Sequence, residues 1–170
     1  ELGFLIGEDT FESIKMNTSL IHKISKERVR DELMKIMASP NPYDGTMMFR
    51  GSGLMAEILP ELEKTFGVEQ KSPGRHHIYD VGTHLMMSLK ECKSRDPITR
   101  FATLIHDIGK PQTYKKRGDV ITFYNHEVVG ATIAKNITER LRFSKKDAGK
   151  LIRLVRWHQF SVGETQTDSA

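Results

Sequence analysis

Hydrophobic residues recur every three or four positions along most of the chain, which is the spacing of one face of an α-helix. The clearest example is residues 26–37, where Val29, Leu33, Ile36 and Met37 lie among charged residues. The same spacing predicts four later helices, over residues 80–92, 96–107, 126–142 and 145–159. We therefore predict an all-α fold.

The first third of the chain also carries signals for helix ends. Asp9 or Thr10 is predicted to cap a first helix, and Ser25 a second. Pro40 and Pro42 end the second helix, because proline lacks an amide hydrogen and disfavours helix just before it. The apolar residues of the first helix would be Phe11, Ile14, Leu20 and Ile21, and shorter helices are expected at 46–49 and 54–59.

A glycine- and proline-containing segment, residues 67–75, interrupts the helical pattern. We place there the boundary between a helical subdomain at 1–70 and a second helical unit at 71–170.

The second unit contains one segment with a different composition. A basic turn, Lys115–Asp119, is followed by the β-prone residues Val120–Phe123. We expect a small β-hairpin near residues 114–124.

Composition narrows the class of protein. Of the 170 residues 38% are hydrophobic and 28% are charged, which favours a folded core over disorder. No apolar run approaches the roughly 20 residues of a membrane span, so no membrane association is expected. The single cysteine, Cys92, excludes an intramolecular disulfide and fits a reduced, cytoplasmic setting. The net charge of +4 and the pI near 9.2 favour an anionic partner only modestly.

The adjacent pair His106 and Asp107 is the strongest chemical signal. The pair closes the apolar run Phe101–Ile105 and precedes Gly109 and Pro111, so a buried helix would deliver both side chains to the floor of a cleft. Imidazole nitrogen and carboxylate oxygen together suit Zn, Fe, Mn, Co or Ni. The alternative is a histidine that interacts with the dipole at a helix C-terminus, beside a solvated aspartate.

Three further histidines could complete such a site. His84 lies at the edge of an apolar helical face, His126 opens a helix, and His158 follows Val155 by one turn. Their long, irregular spacings suit a site assembled between packed helices. The alternatives are a packed, hydrogen-bonded His84, a helix-start His126 and a His158 at the rim of a cleft.

Four motifs occur in order along the second unit: Asp80–His84, Ile105–Pro111, His126–Ala131 and Leu154–His158. In this order they resemble the HD domain, and more narrowly the HD domain of bacterial tRNA nucleotidyltransferases (CCA-adding enzymes) and the related poly(A) polymerases. Upstream, Ile24–Met37, Ser39–Pro42 and Gly53–Leu62 are similar to the helical RNA-binding neck of that family.

The resemblance implies a metal-dependent hydrolysis of phosphate esters. It assigns His84, His106 and Asp107 as metal ligands and Asp107 as a catalytic residue, and it matches His126 and His158 to ligands of a second metal. Lys110 matches a lysine that contacts substrate phosphate, although a solvated lysine is the alternative. His76 and Asp80 match family positions without a defined role. The cofactor would be one or two divalent ions, namely Mn, Ni, Co, Fe, Zn or Mg.

Two departures from the family pattern qualify this expectation. The nucleotidyltransferase head is absent, so this chain by itself is not expected to add nucleotides to RNA. HD domains also take a last ligand from an aspartate on a later helix, and Asp168 does not align with it. We expect that ligand beyond Ala170, in an HD domain truncated at its C-terminus.

Two sets of basic residues could contact RNA, although solvated surface is the alternative for both. One set is the turn Lys115, Lys116 and Arg117, and the other is a stripe formed by Arg142, Lys146, Lys150 and Arg153 if one helix runs through them. The leading hypothesis is a phosphohydrolase within a tRNA nucleotidyltransferase-like protein, with tRNA as its partner. The alternatives are a non-catalytic tRNA-binding body with a vestigial metal site and a stand-alone nucleotide hydrolase.

Overall fold

The computed structural model describes residues 5–70 and 79–159. Within them the protein consists of ten α-helices, one 3-10 helix and one two-stranded antiparallel sheet. The prediction of an all-α fold with a small hairpin is confirmed. None of the described helices is long and apolar enough to cross a membrane.

The elements follow one another along the chain with short connections. The first part contains α1 (Glu8–Met16), the 3-10 helix (Thr18–Lys23), α2 (Lys26–Ala38), α3 (Pro42–Gly51), α4 (Leu54–Ile58) and α5 (Pro60–Glu63). The second contains α6 (Val81–Glu91), α7 (Pro97–Ile105), α8 (Lys110–Thr113), β1 (Lys115–Arg117), β2 (Val120–Thr122), α9 (His126–Arg140) and α10 (Lys145–Arg156).

The start of α1 differs from the prediction. Gly7 is the N-cap and makes no side-chain cap bond. Asp9 instead lies in the first helical turn, where a carboxylate interacts favourably with the helix dipole. Leu20 and Ile21 belong to the 3-10 helix and not to α1.

Side-chain caps fix the start of most other long helices. The Ser25 hydroxyl accepts a hydrogen bond from the backbone N–H of Arg28, as predicted for α2. Asp80, Asp96 and Ser144 likewise cap α6, α7 and α10. Asp80, which the sequence left without a role, is therefore a structural residue that fixes the start of α6.

The hairpin pairs Lys115 with Thr122, Lys116 with Ile121 and Arg117 with Val120. Gly118 makes the turn with a φ of 58°, a conformation in which glycine has no Cβ to clash. The hairpin leads directly into residues 122–125, which line the cleft described below.

One hydrophobic cluster spans both parts of the described chain. Helix α2 packs on α7, and α3 packs on α6. Gly82 of α6 contacts Phe66 so closely that an added Cβ would lie 2.5 Å from the ring. The last residues of the first part are thereby held against α6, which carries a histidine of the candidate site.

Candidate metal centre

The five side chains predicted as metal ligands meet in one cleft of about 590 Å³. Helix α6 supplies His84, and the turn after α7 supplies His106 and Asp107. His126 is the first residue of α9, and His158 follows α10. Two metal-binding groups result, one of His84, His106 and Asp107 and one of Asp107, His126 and His158.

Asp107 joins the two groups because each carboxylate oxygen faces a different pair of histidines. Its Oδ2 lies 3.5 Å from His84 Nε2 and 3.3 Å from His106 Nε2. Its Oδ1 lies 3.1 Å from His126 Nε2 and 3.4 Å from His158 Nε2.

These separations fit two divalent ions. Ligand atoms about 2.1 Å from one ion, at angles between octahedral and tetrahedral values, lie about 3.0–3.4 Å apart. The Nε2 atoms of His84 and His106 are 3.3 Å apart, and so are those of His126 and His158. Each group therefore has the composition and the spacing of half of a two-metal site.

Backbone carbonyls of the described residues orient the imidazoles of His106, His126 and His158. His106 Nδ1 lies 2.8 Å from the Thr103 carbonyl, and His126 Nδ1 lies 2.8 Å from the Phe123 carbonyl. His158 Nδ1 lies 2.7 Å from the carbonyl three residues before it. A carbonyl only accepts, so Nδ1 carries the proton and the Nε2 lone pair of the neutral ring is directed at the metal positions.

Local sequence explains how α7 and α9 come together at the site. The apolar residues Phe101, Leu104 and Ile105 are fully buried and fix α7 in the core. A Cβ on Gly109 would lie 2.1 Å from the carbonyl oxygen of His126, so only glycine permits this approach. Asn125 precedes α9 with a φ of 62°, a left-handed conformation that asparagine tolerates.

The cluster keeps Asp107 ionised. Burial alone would raise the pKa of this carboxyl, but the interactions of its two oxygens with the imidazoles of His106, His126 and His158 outweigh burial and hold the pKa far below its ordinary value. Burial likewise opposes the charged form of His158, whereas the Asp107 carboxylate and the Val155 carbonyl raise the pKa of its imidazole.

Lys110 is part of the cluster. The sequence also allowed a solvated lysine at this position, but the side chain is buried. It is only 7% exposed, and its Nζ lies 2.7 Å from Asp107 Oδ2. It also donates to Gln70 Oε1 at 2.9 Å. Gln70 was not predicted, because a single glutamine within the glycine- and proline-containing segment at 67–75 carries no local signal.

Some family positions lie outside the described residues, among them His76 and Asp168. Glu127 is a further carboxylate in the cleft, with its Oε2 3.8 Å from His126 Nδ1. It therefore lies on the side of the imidazole that faces away from the metal positions.

The first set of predicted RNA-binding residues lies on the hairpin beside the cleft. Lys115, Lys116 and Arg117 are all exposed. Lys116 Nζ lies 3.2 Å from Glu69 Oε2.

The second set does not form a stripe along one helix. Arg142 is exposed but lies between α9 and α10 with a φ of 56°. Lys146 and Arg153 are exposed on α10, whereas Lys150 Nζ lies 2.8 Å from Asp96 Oδ2.

Two known families match consecutive regions of the chain. Residues 74–169 match the HD domain family. Residues 3–66 match the family described as the probable RNA and SrmB- binding site of polymerase A.

Curated relatives carry both parts. The chain is 36% identical, over 80% of its length, to an A-adding tRNA nucleotidyltransferase of Deinococcus radiodurans. It is 31% identical, over 92% of its length, to a multifunctional CCA protein of Halorhodospira halophila. The aligned regions cover 32% and 38% of these two relatives, so the chain spans about a third of their length. The chain belongs to the family in which this RNA-binding region precedes an HD domain, that of the bacterial tRNA nucleotidyltransferases and poly(A) polymerases.

Proposed function

We propose that this chain is a metal-dependent phosphohydrolase, acting as a phosphodiesterase or phosphatase on 2′,3′-cyclic nucleotides or RNA 3′ ends. The observation that carries the proposal is the division of the Asp107 carboxylate between two pairs of histidines. Such a ligand set suits Mn, Ni, Co, Fe or Zn, and Mg is a further candidate. One or two ions would be held.

The residues of the cleft have separate tasks in this reaction. When bound, divalent ions supply Lewis acidity, which lowers the pKa of water and polarises the phosphoryl oxygen. The four imidazoles would hold the ions through Nε2, and Asp107 would contribute negative charge to both positions. The Lys110 ammonium offsets the charge that develops on the phosphoryl group.

We further propose that the chain is the C-terminal part of a tRNA nucleotidyltransferase-like protein that acts in tRNA 3′-end processing in the cytoplasm. The match of residues 3–66 to an RNA-binding region supports tRNA as the partner. Under this proposal residues 1–70 form the neck and residues 71–170 form the catalytic domain.

A second candidate is a tRNA-binding body without catalysis. The exposed basic residues of the hairpin and α10 favour it. In that case the metal cluster would be structural or vestigial.

The test is hydrolysis of 2′,3′-cyclic AMP by the purified chain with added Mn, Ni, Co or Mg. We expect metal-dependent turnover that Asp107→Ala reduces to background, because the variant removes a ligand from both metal groups. Asp44→Ala is the matched control, since Asp44 is exposed in the first turn of α3 and does not line the cleft.

The same proteins decide between the two candidates. Turnover lost in Asp107→Ala but kept in Asp44→Ala supports catalysis. Tight tRNA binding by all three proteins, with no turnover in any, would instead favour the binding body.

A further inference from the structure

Gln70 lies between the two regions that the family matches cover, after residue 66 and before residue 74. It is only 2% exposed, and it borders the metal cleft. Neither family assignment gives it a role. Its burial next to a charged side chain requires an explanation, because a buried amide is costly unless its hydrogen bonds are made.

Both ends of the Gln70 amide are engaged. Its Oε1 accepts from Lys110 Nζ at 2.9 Å, and its Nε2 donates to the Tyr79 carbonyl at 3.1 Å. The two partners fix the amide orientation, since an ammonium only donates and a carbonyl only accepts. The acceptor of Gln70 is therefore locked toward Lys110.

Lys110 has three N–H donors. Among the described residues, Asp107 Oδ2 and Gln70 Oε1 accept from its Nζ, and Nζ also lies 5.3 Å from the centre of the Phe123 ring. The ammonium borders the cleft within hydrogen-bond reach of the carboxylate that joins the two metal groups. Of the two acceptors, Gln70 is the one that is not a predicted metal ligand. Because its amide is neutral, Gln70 orients the ammonium without neutralising its charge.

We propose that Gln70 is a positioning residue that holds the Lys110 ammonium beside the metal centre, where it contacts an oxygen of the substrate's phosphoryl group. This inference rests on the proposed phosphoester function of the site. It also gives a role in the site to a residue that lies outside both family matches.

The test measures the affinity of the metal-loaded chain for inorganic phosphate, with Ni at saturation, by calorimetry. Gln70→Met keeps the length of the side chain but removes both hydrogen bonds, and we expect it to weaken phosphate binding about tenfold. Affinity for Ni alone should stay within about threefold, because Gln70 contacts none of the predicted ligands. Gln112→Met is the matched control, since Gln112 is exposed on α8 two residues from Lys110.

A double-mutant cycle separates positioning from a general structural role. Gln70→Met should have no further effect on phosphate affinity in a Lys110→Met background. Equal losses in both backgrounds, or no loss in either, would overturn the inference. If the methionine variant fails to fold, Gln70→Ala takes its place in the cycle, because it removes the amide without placing a thioether beside Lys110.

The result is also separable from the proposed reaction. Phosphate affinities that follow the cycle, in a chain without turnover, would support the positioning role and remove only the catalytic proposal. Turnover, together with losses of phosphate affinity that are additive for the Gln70 and Lys110 variants, would remove only the positioning role of Gln70. A parent chain that binds no phosphate would overturn the inference directly.

Discussion

Asp107 can serve two metal positions because its two oxygens have different neighbours. Oδ2 faces His84 and His106, whereas Oδ1 faces His126 and His158. Each ion would then have its own pair of imidazoles and share only the aspartate. Loss of one histidine should consequently affect one ion more than the other.

We expect His158→Ala to lower the bound metal from two ions per chain to one, with the group of His84, His106 and Asp107 still loaded. Metal content after desalting, measured by mass spectrometry, gives the stoichiometry. His84→Ala should give the same count through the other group. His22→Ala is the control, because His22 is exposed and pairs with Glu57 away from the cleft.

The arrangement of two groups would be wrong if either single variant lost all its metal. That outcome would indicate one ion held jointly by all four imidazoles. Full retention of two ions in His158→Ala would exclude His158 as a ligand.

The sequence predicted the residues of the cluster better than their environment. His106 and Asp107 are adjacent and follow an apolar helix, so their burial could be inferred from residues near them in the chain. Lys110 could not be placed, because one acceptor of its Nζ, Gln70 Oε1, lies forty residues earlier in the chain. A contact over that separation has no periodic or local signature.

At the scale of elements, Asp96 connects two helices. It caps α7 by accepting from the Thr99 backbone N–H at 2.6 Å, and it pairs with Lys150 of α10 at 2.8 Å. The Lys150 hydrogen bond, together with those from Thr99, lowers the pKa of Asp96 from 3.8 to about 2. The ionised carboxylate is therefore favoured in the folded state.

This pKa shift predicts a pH dependence of stability. A carboxyl whose pKa is lowered on folding contributes stability above its unfolded pKa of 3.8 and loses it as the pH falls to about 2. Asp96→Asn should reduce the free energy of unfolding at pH 7 by about 1 kcal/mol, a value discounted because the side chain is partly exposed.

Urea unfolding at pH 7, 4 and 2, in the presence of a chelator, measures this effect. The difference between the parent and Asp96→Asn should shrink toward zero at pH 2, since asparagine can still cap the helix. A difference that stays constant from pH 7 to 2 would show that the charge contributes nothing.

On helix α10, Lys146 offers a sharper test of RNA contact than Lys150. Lys146 is exposed, whereas Lys150 is held by Asp96. We expect Lys146→Glu to weaken tRNA binding and to reduce the slope of log affinity against log salt by about 1. Filter binding at several salt concentrations measures both quantities.

Lys135→Glu provides the matched change of charge, because Lys135 is exposed on α9 and pairs with Glu139. Equal losses in the two variants would mean that only net charge matters. Unchanged binding in Lys146→Glu would remove α10 from the RNA-binding surface.

Element boundaries were predictable where a side chain caps the helix. Ser25 of α2 is the example, because its hydroxyl bonds the helix backbone directly. The start of α1 was not predictable, since Gly7 caps it without a side chain. A break between the helices at 126–142 and 145–159 was predicted, but α9 already ends at Arg140, and the left-handed backbone of Arg142 places it outside either helix.

At the scale of the whole molecule, two arginines link the two parts in addition to the shared hydrophobic core. Arg100 of α7 donates to the carbonyls of Met37 and Ser39 at the end of α2, each at 2.8 Å. Arg140 of α9 binds both carboxylate oxygens of Glu61, at 2.6 and 2.8 Å. Side chains of the second part are thereby bonded to backbone carbonyls and to a carboxylate of the first part.

These bonds and the shared hydrophobic cluster predict that the two parts unfold together. Leu33 of α2 is 4% exposed and belongs to the common cluster. Leu33→Ala should lower the free energy of unfolding by about 2–5 kcal/mol. The fluorescence of the single tryptophan, Trp157, reports on the end of α10 in the second part. The unfolding midpoint measured by this fluorescence should shift by the same amount as the midpoint measured by far-ultraviolet circular dichroism. Leu5→Ala should shift neither signal, because Leu5 is 99% exposed. A circular dichroism transition that precedes the Trp157 transition in Leu33→Ala would instead show that the first part unfolds independently. The position of Gln70 would then depend on whether residues 65–70 unfold with the first part or stay folded with the second.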